Sequence, residues 1–224
     1  MPSIILCLFF SSILWAGPKI GKISYVEGVA QIIASGKTKA VKVNMVLKQG
    51  YTIVTQSDSR VEVTYSNGDI IRIDKNSSIT LEGSATQGKP RLKKGDLWSN
   101  IKKLSKGKSG FQVQTPTATA AVRGTIFQVQ VRDSSSTVKL FEGKVDVGPP
   151  GKKEKTASAW GPPVEVSGPS EVTLDSWLSL DPGQMIHVNL DGTYLSESFD
   201  EAAAIDQSSW EKFNKARDKE LLKK

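Results

Sequence analysis

The sequence predicts a mainly β protein, either a short-strand rolled β-sandwich or an irregular β-helix-like domain, closed by a C-terminal helical tail. Three observations carry that expectation. Across residues 19–190 the dominant period is two, with Val61, Val63 and Tyr65 alternating against Glu62 and Thr64, and Phe127, Val129 and Val131 against Gln128 and Gln130. This is the alternation of half-buried strands. Turn chemistry separates the apolar runs, most clearly Asn67-Gly68 before Ile70, the pair that favours a type I′ hairpin. No stretch of helical period intervenes that is long enough for a crossover helix, which argues against a parallel sheet.

Taken in order, residues 4–15 are almost unbroken apolar and are followed by Ala16 and Gly17, the pattern of a signal peptide over residues 1–16. The run is too short for a bilayer span, which needs ~20 apolar residues. Cleavage near Ala16 removes Cys7 and places an exported chain in the periplasm, with no transmembrane span in its mature form. Strand-like runs then recur at 23–33, 51–54, 61–65, 70–73, 79–81, 111–113, 127–131, 138–141, 164–166 and 185–188. Two echoes mark repeated units. Tyr25-Val26-Glu27-Gly28-Val29-Ala30 resembles Leu140-Phe141-Glu142-Gly143-Lys144-Val145, and Leu-x-x-Gly occurs at 47–50, 92–95 and 180–183. Glycine at such places supplies positive φ at a sharp entry into a strand. Residues 149–163, with Pro149, Pro150, Pro162 and Pro163, read as a Pro/Gly/Lys loop, and 164–195 as a β-segment that completes or extends the domain. Residues 196–224 form the tail. Ser198-Phe199-Asp200-Glu201 and Ser208-Ser209-Trp210-Glu211 both fit a capping box, so two helices are expected. On the second, Trp210, Phe213, Arg217 and Leu221 share a face. Trp210, Phe213 and Leu221 are a candidate docking face, for a partner or for the chain's own β-body.

Composition removes most chemistry. Among 224 residues there is one Cys and one His, too few for a zinc or iron site, so no metal and no cofactor is expected. Ser105-x-x-Lys108 and Ser209-x-x-Lys212 lack an accompanying Ser-Asp-Asn element, and Gly36-Lys37-Thr38 lacks the first glycine of a phosphate loop. No catalytic residue is assigned. A carboxylate pair acting on glycans is the one enzymatic alternative. The net charge of +7 lies wholly outside residues 1–16, and its densest run is residues 89–108, including Lys93, Lys94, Lys102 and Lys103. A basic exported chain suits anionic neighbours, namely lipid headgroups at the membrane periphery, polysaccharide or acidic proteins, and not nucleic acid. A Lys-guarded edge strand explains the same run.

Residues 111–129, Phe-Gln-Val-Gln-Thr-Pro-Thr-Ala-Thr-Ala-Ala-Val-Arg-Gly-Thr-Ile-Phe-Gln-Val, resemble the signature of the FecR-like domain family. The resemblance continues through Glu142-Gly143-Lys144-Val145 and reaches back to Gly28, Gly50 and Asn67-Gly68-Asp69, giving a domain over 19–148. Leu180-Asp181-Pro182-Gly183-Gln184 resembles the motif that often closes it. The resemblance implies an all-β, extracytoplasmic, non-catalytic sensing or interaction module. In the founding members it sits on a transmembrane anti-sigma regulator that receives a signal from an outer-membrane siderophore receptor. Nothing before the apolar run here resembles a sigma-binding segment, so this chain is similar to the free-standing exported version. The expected function is recognition of an envelope protein or anionic polysaccharide by a monomer, the alternative being a relay of an outer-membrane event to a separate membrane regulator. Arg123-Gly124-Thr125 is the first candidate recognition segment, since an arginine before a glycine and a strand presents a planar fork to a carboxylate or phosphate. The competing reading is a strut pinned to an internal acid, Glu142 being a candidate.

Overall fold

The computed structural model describes residues 17–103, 110–151, 176–203 and 208–221, together with the backbone of 172–173. The expected signal peptide and most of the 149–163 loop, like Lys106 and Lys108, lie outside the described residues. The first strands are β1 (Lys19–Glu27), β2 (Ala30–Ala34), β3 (Lys37–Ala40), β4 (Val46–Lys48), β5 (Thr52–Thr55), β6 (Arg60–Tyr65), β7 (Ile70–Ile73), β8 (Ser78–Thr80) and β9 (Arg91–Asn100). They are followed by β10 (Phe111–Gln114), β11 (Thr119–Val122), β12 (Ile126–Arg132), β13 (Ser135–Glu142), β14 (Val145–Gly148), β15 (Val172–Thr173), β16 (Leu178–Leu180), β17 (Gln184–Asn189) and β18 (Thr193–Ser198). One long helix, Ser209–Leu221, follows them.

Register sorts these strands into two layers. Sheet I runs β4-β1-β6-β7-β9-β12-β13-β17-β18-β15. Sheet II runs β3-β2-β5-β8-β9-β10-β11-β14-β16. Strand β9 belongs to both, its first half pairing in sheet II and its second in sheet I. Among the described residues neighbours are antiparallel except for one parallel pairing, Gln114 with Arg91, so the rolled sandwich is realised and not the parallel rungs of a β-helix. Ile23, Val63, Ile71, Leu97, Phe127, Val129 and Leu140 of sheet I meet Ile32, Ile53, Ile79, Leu92, Val113 and Val147 of sheet II in a single buried core. The exposed edge strand β3 carries Lys37 and Lys39, charges that discourage pairing with another chain.

The sequence echoes are the places where the chain changes sheet. Glu27-Gly28 turns β1 of sheet I into β2 of sheet II, and Glu142-Gly143 turns β13 into β14 in the same sense. Gly50, Gly95 and Gly183, which end the three Leu-x-x-Gly motifs, also stand at sheet crossings with positive φ. At Gly28 and Gly143, φ of 68° and 89° combines with backbone contact: a Cβ would sit 2.5 Å from the Asp58 carbonyl oxygen and the Gly124 carbonyl oxygen respectively. Only glycine meets both demands.

Two turn expectations are corrected. Asn67-Gly68 is not a type I′ pair, because Gly68 alone has positive φ. Tyr65 N–H bonds Asp69 C=O and Gly68 N–H bonds Tyr65 C=O, a three-residue turn with a left-handed last residue. Asn67 keeps an ordinary φ and turns its side chain to Asp69. The cap near Ser198 is also displaced. Ser198 is the last residue of β18, and Asp200 Oδ1 accepts the Ala202 and Ala203 N–H groups to start a helical turn at 201–203. Ser208 does cap the long helix, its Oγ accepting Glu211 N–H at 3.2 Å.

Candidate functional site

At one end of the sandwich two sheet crossings lie against each other. Thr125 is buried, exchanges backbone hydrogen bonds with Ile101 at 3.0 Å in both directions, and donates its Oγ1 to the Lys144 carbonyl at 3.0 Å. Gly124, at φ 65°, packs against the Lys103 side chain, and its carbonyl faces Gly143. This framework carries Arg123 outward at the apex. Arg123 is exposed and forms no ion pair among the described residues. Glu142 is thereby corrected as its partner: it meets Lys215 Nζ at 3.7 Å, not Arg123. The physical reason is position, since a corner between two layers projects its side chain away from both. Lys102 and Lys103 are exposed beside it, with Lys102 held through its N–H to Asp69 Oδ1 at 2.9 Å and its side chain over Gly68. Lys103 thus packs against the residue that follows Arg123, and Lys102, next to it in the chain, reaches to the Gly68 turn.

Lys93 and Lys94 do not join them. They lie on the first half of β9, in sheet II, eight to ten residues from Lys102 and Lys103, which at ~3.3 Å per residue is roughly 26–33 Å of extended chain. The basic run of residues 89–108 is one patch in sequence and two places in space. Lys94 borders an open groove of about 490 Å³ lined also by Asp74, Asp96, Gln128, Arg132 and Trp210, where charges of both signs alternate. Burial pushes the Asp74 carboxyl up, against the opposing pull of the Lys75 N–H and of Arg60.

The terminal helix lies on the outer face of sheet I. Trp210 is buried and packs with Trp98 and Phe141, and Phe213 stacks on Trp210 and sits 6.0 Å from the Tyr25 ring. Leu221 departs from the expected docking face and is exposed. Its place on the sheet is taken by polar groups. Arg72, 1% exposed, donates to Glu62 and to Asp218, each at 2.7 Å, and Trp98 Nε1 donates to the other Asp218 oxygen at 2.9 Å. Arg217 adds a bond to Glu62 at 3.1 Å. Burial pushes Glu62 up, but donors from Arg217, Arg72 and Ser24 outweigh it and hold its carboxyl below the usual range. Glu211 meets Lys139 at 3.2 Å, and burial still raises its carboxyl above the usual range. Glu62 and Gln128 occupy outward strand positions that the alternation assigns to solvent, and nothing local in the sequence marks their burial. The faint signal is opposite charge at Glu62 and Arg72, ten residues apart across a hairpin.

His187 bonds Thr137 and Glu197 through its two ring nitrogens. Among the described residues no cluster of His, Cys, Asp and Glu could hold a metal, and no helix is long and apolar enough to cross a membrane.

The family described as FecR protein matches residues 51–146, from the start of β5 into β14. A solved structure of a proposed anti-sigma factor from Parabacteroides distasonis ATCC 8503 is similar at 18% identity and TM-score 0.51, covering 70% of this chain and 65% of that one. A second structure of a proposed anti-sigma factor from the same organism gives 20% identity and TM-score 0.48, over 66% and 58%. The chain therefore spans less than two thirds of either neighbour. No curated protein matches the sequence. The matched segment contains the Arg123 corner, the Glu142-Gly143 crossing and the Asn67-Gly68 turn, so residues 51–146 are similar to a FecR domain in sequence motif as well as by family match.

Proposed function

We propose that the chain is an exported, non-catalytic binding module that serves signalling at the cell envelope, recognising an acidic protein surface or an anionic glycan at the corner formed by Arg123, Lys102 and Lys103. One observation carries this reading. Arg123 stands exposed on a backbone corner braced by the Thr125–Ile101 and Thr125–Lys144 hydrogen bonds, with no ion pair among the described residues to account for it. A guanidinium so placed is free to accept a planar anion with two parallel hydrogen bonds. The reading against catalysis has a local basis too: of the buried carboxylates among the described residues, Glu62, Asp74, Asp96, Glu211 and Asp218 each hold a cationic partner, and Asp69 is taken up by Asn67 and the Lys102 N–H. The relay reading, in which the bound partner is a regulatory protein, is supported by the FecR match over residues 51–146 and by the name borne by the structural neighbour at TM-score 0.51.

The test is affinity capture from an envelope extract by wild type, by Arg123→Ala and by a Lys102→Gln/Lys103→Gln double variant, all matched for thermal stability. Release of the same partner by both variants supports the corner. Equal retention by all three overturns it. Binding that collapses between low and high salt points to a glycan polyanion, and salt-tolerant capture of one protein points to the relay.

A further inference from the structure

Beneath the terminal helix, sheet I presents a row of cross-strand neighbours, Glu62, Arg72, Trp98, Gln128 and Lys139. Elsewhere the protein is held by an apolar core, whereas this contact sets buried ion pairs beside a small aromatic cluster. The helix has 13 residues, a length at which isolated helices are marginal in water, so docking is what keeps it folded. Buried ion pairs recover their desolvation cost only when every remaining donor and acceptor is filled. Here the protein does not fill them: among the described residues Arg72 Nη2, Gln128 Oε1, Trp210 Nε1 and Glu211 Oε2 are buried with no hydrogen bond to another protein group, and all four lie at this one contact. An interface with specific geometry and unfilled polar groups is selective yet weakly held, a property of segments that open below the global unfolding energy.

Lifting the helix uncovers a coherent surface. Trp98, Phe141 and Tyr25 form its aromatic part, with Arg72 between them and a cationic Lys139 at the side. The helix shows what fits there. It brings Trp210 and Phe213 to the aromatics and, eight residues beyond Trp210, Asp218 to both Arg72 and Trp98 Nε1, a spacing of a little over two turns.

We propose that the outer face of sheet I is a second binding surface that the chain's own terminal helix holds shut, and that its ligand is an amphipathic helical segment of another protein carrying an aromatic pair and, two turns on, a carboxylate for Arg72. The helix then acts as a displaceable strap. This surface adds to the proposed binding module and does not use Arg123, Lys102 or Lys103, so either can fail while the other stands.

The experiment uses the full chain and a labelled synthetic peptide of residues 208–221 as the probe. Hydrogen exchange reads the strap, and fluorescence anisotropy reads the peptide. In wild type the helix amides exchange at least tenfold faster than those of β6, β7 and β12. Asp218→Asn in the chain speeds helix exchange further and tightens binding of the unaltered peptide at least tenfold, while a peptide carrying Asp218→Asn binds no better than a scrambled one. Arg217→Gln in the chain repeats the measurement should Asp218→Asn fail to fold. Helix amides that exchange only together with the core strands overturn the proposal. So does a loosened chain that ignores the peptide, and so does one that instead forms dimers by exchanging helices, since the surface would then serve a second copy.

Discussion

Replacing Gly143 with alanine isolates what the sheet crossings contribute, because Gly50 supplies a control with the same backbone conformation. Gly50 has φ 86° and Gly143 has φ 89°, but a Cβ at Gly50 meets nothing within 4 Å, whereas at Gly143 it meets the Gly124 carbonyl oxygen at 2.5 Å and Thr125 Cα at 3.0 Å. Left-handed backbone costs an L-residue about 1–2 kcal/mol, offset by roughly 0.4–1 kcal/mol from the stiffer unfolded chain. Gly50→Ala should therefore destabilise by about 1 kcal/mol. At Gly143 the neighbour is backbone, pinned by the Thr125–Ile101 pair and the Thr125–Lys144 bond. Overpacking adds about 1–3 kcal/mol, and a weakened hydrogen bond about 1 kcal/mol more, giving about 3–5 kcal/mol in total. At about 2–4 °C per kcal/mol for a chain of this size, calorimetry should show Tm falling about 2–4 °C for Gly50→Ala and by at least ~6 °C for Gly143→Ala. Equal shifts would refute the claim that the two crossings brace each other. Because the displaced atom belongs to Gly124, Gly143→Ala at a temperature where it is folded should also weaken whatever binds Arg123.

Other outcomes follow from the same contacts. Arg123→Ala, made at an exposed side chain with no ion pair among the described residues, should move stability by no more than about 0.5 kcal/mol; a loss above 2 kcal/mol in urea would support the strut reading. Arg72→Met leaves Asp218 buried without its cation, a change of about 2–3 kcal/mol that is limited by the free energy of lifting the helix. Protease cleavage within residues 209–221 should accelerate roughly 30-fold or more, and unchanged cleavage would count against the network. Helix docking should be tightest near the ordinary glutamate pKa, on the acid side of neutrality. Glu211, facing Lys139, Lys215 and Asp96, has a raised pKa when docked, so its ionisation weakens docking as pH rises from the ordinary value through the raised one. Glu62, facing Arg72, Arg217 and Ser24, has a lowered pKa, so its contribution is present above the ordinary value and lost as pH falls through the lowered one. Helix exchange measured against pH should pass through a minimum, and Glu211→Gln should flatten its neutral limb.

Much of the fold is legible in the residues. Period-two alternation is a local property, because each strand buries one face, and Val61, Val63, Phe127 and Val129 show it without knowledge of their neighbours. The Glu-Gly and Leu-x-x-Gly echoes are legible for the same reason: a left-handed corner admits few residue types, so repeated corners leave repeated letters. The Ser208 cap is also local, a hydroxyl meeting an N–H three residues on. Asn67-Gly68 shows where this legibility ends. The pair announces a turn, yet Tyr65 and Asp69 pair in the ladder and make it a three-residue turn, a matter of strand register that no dipeptide encodes.

For the candidate sites the division is sharper. Arg123-Gly124-Thr125 stands out in the sequence, but whether its arginine turns inward or outward depends on two layers meeting at the corner, and only the tertiary structure decided it. The basic run at residues 89–108 looks continuous because lysines are adjacent in number, whereas a ten-residue strand crossing between sheets carries Lys93 and Lys94 away from Lys102 and Lys103. Glu62 and Gln128 read as solvated positions, and pairing across 146 residues, as between Arg72 and Asp218, leaves no periodic trace. By itself the sequence determined what short-range sterics and burial period dictate: strands, corners and a capped helix. The tertiary structure alone decided which charges are buried and which remain free, because burial of a charge is set by what packs over it from a distant part of the chain.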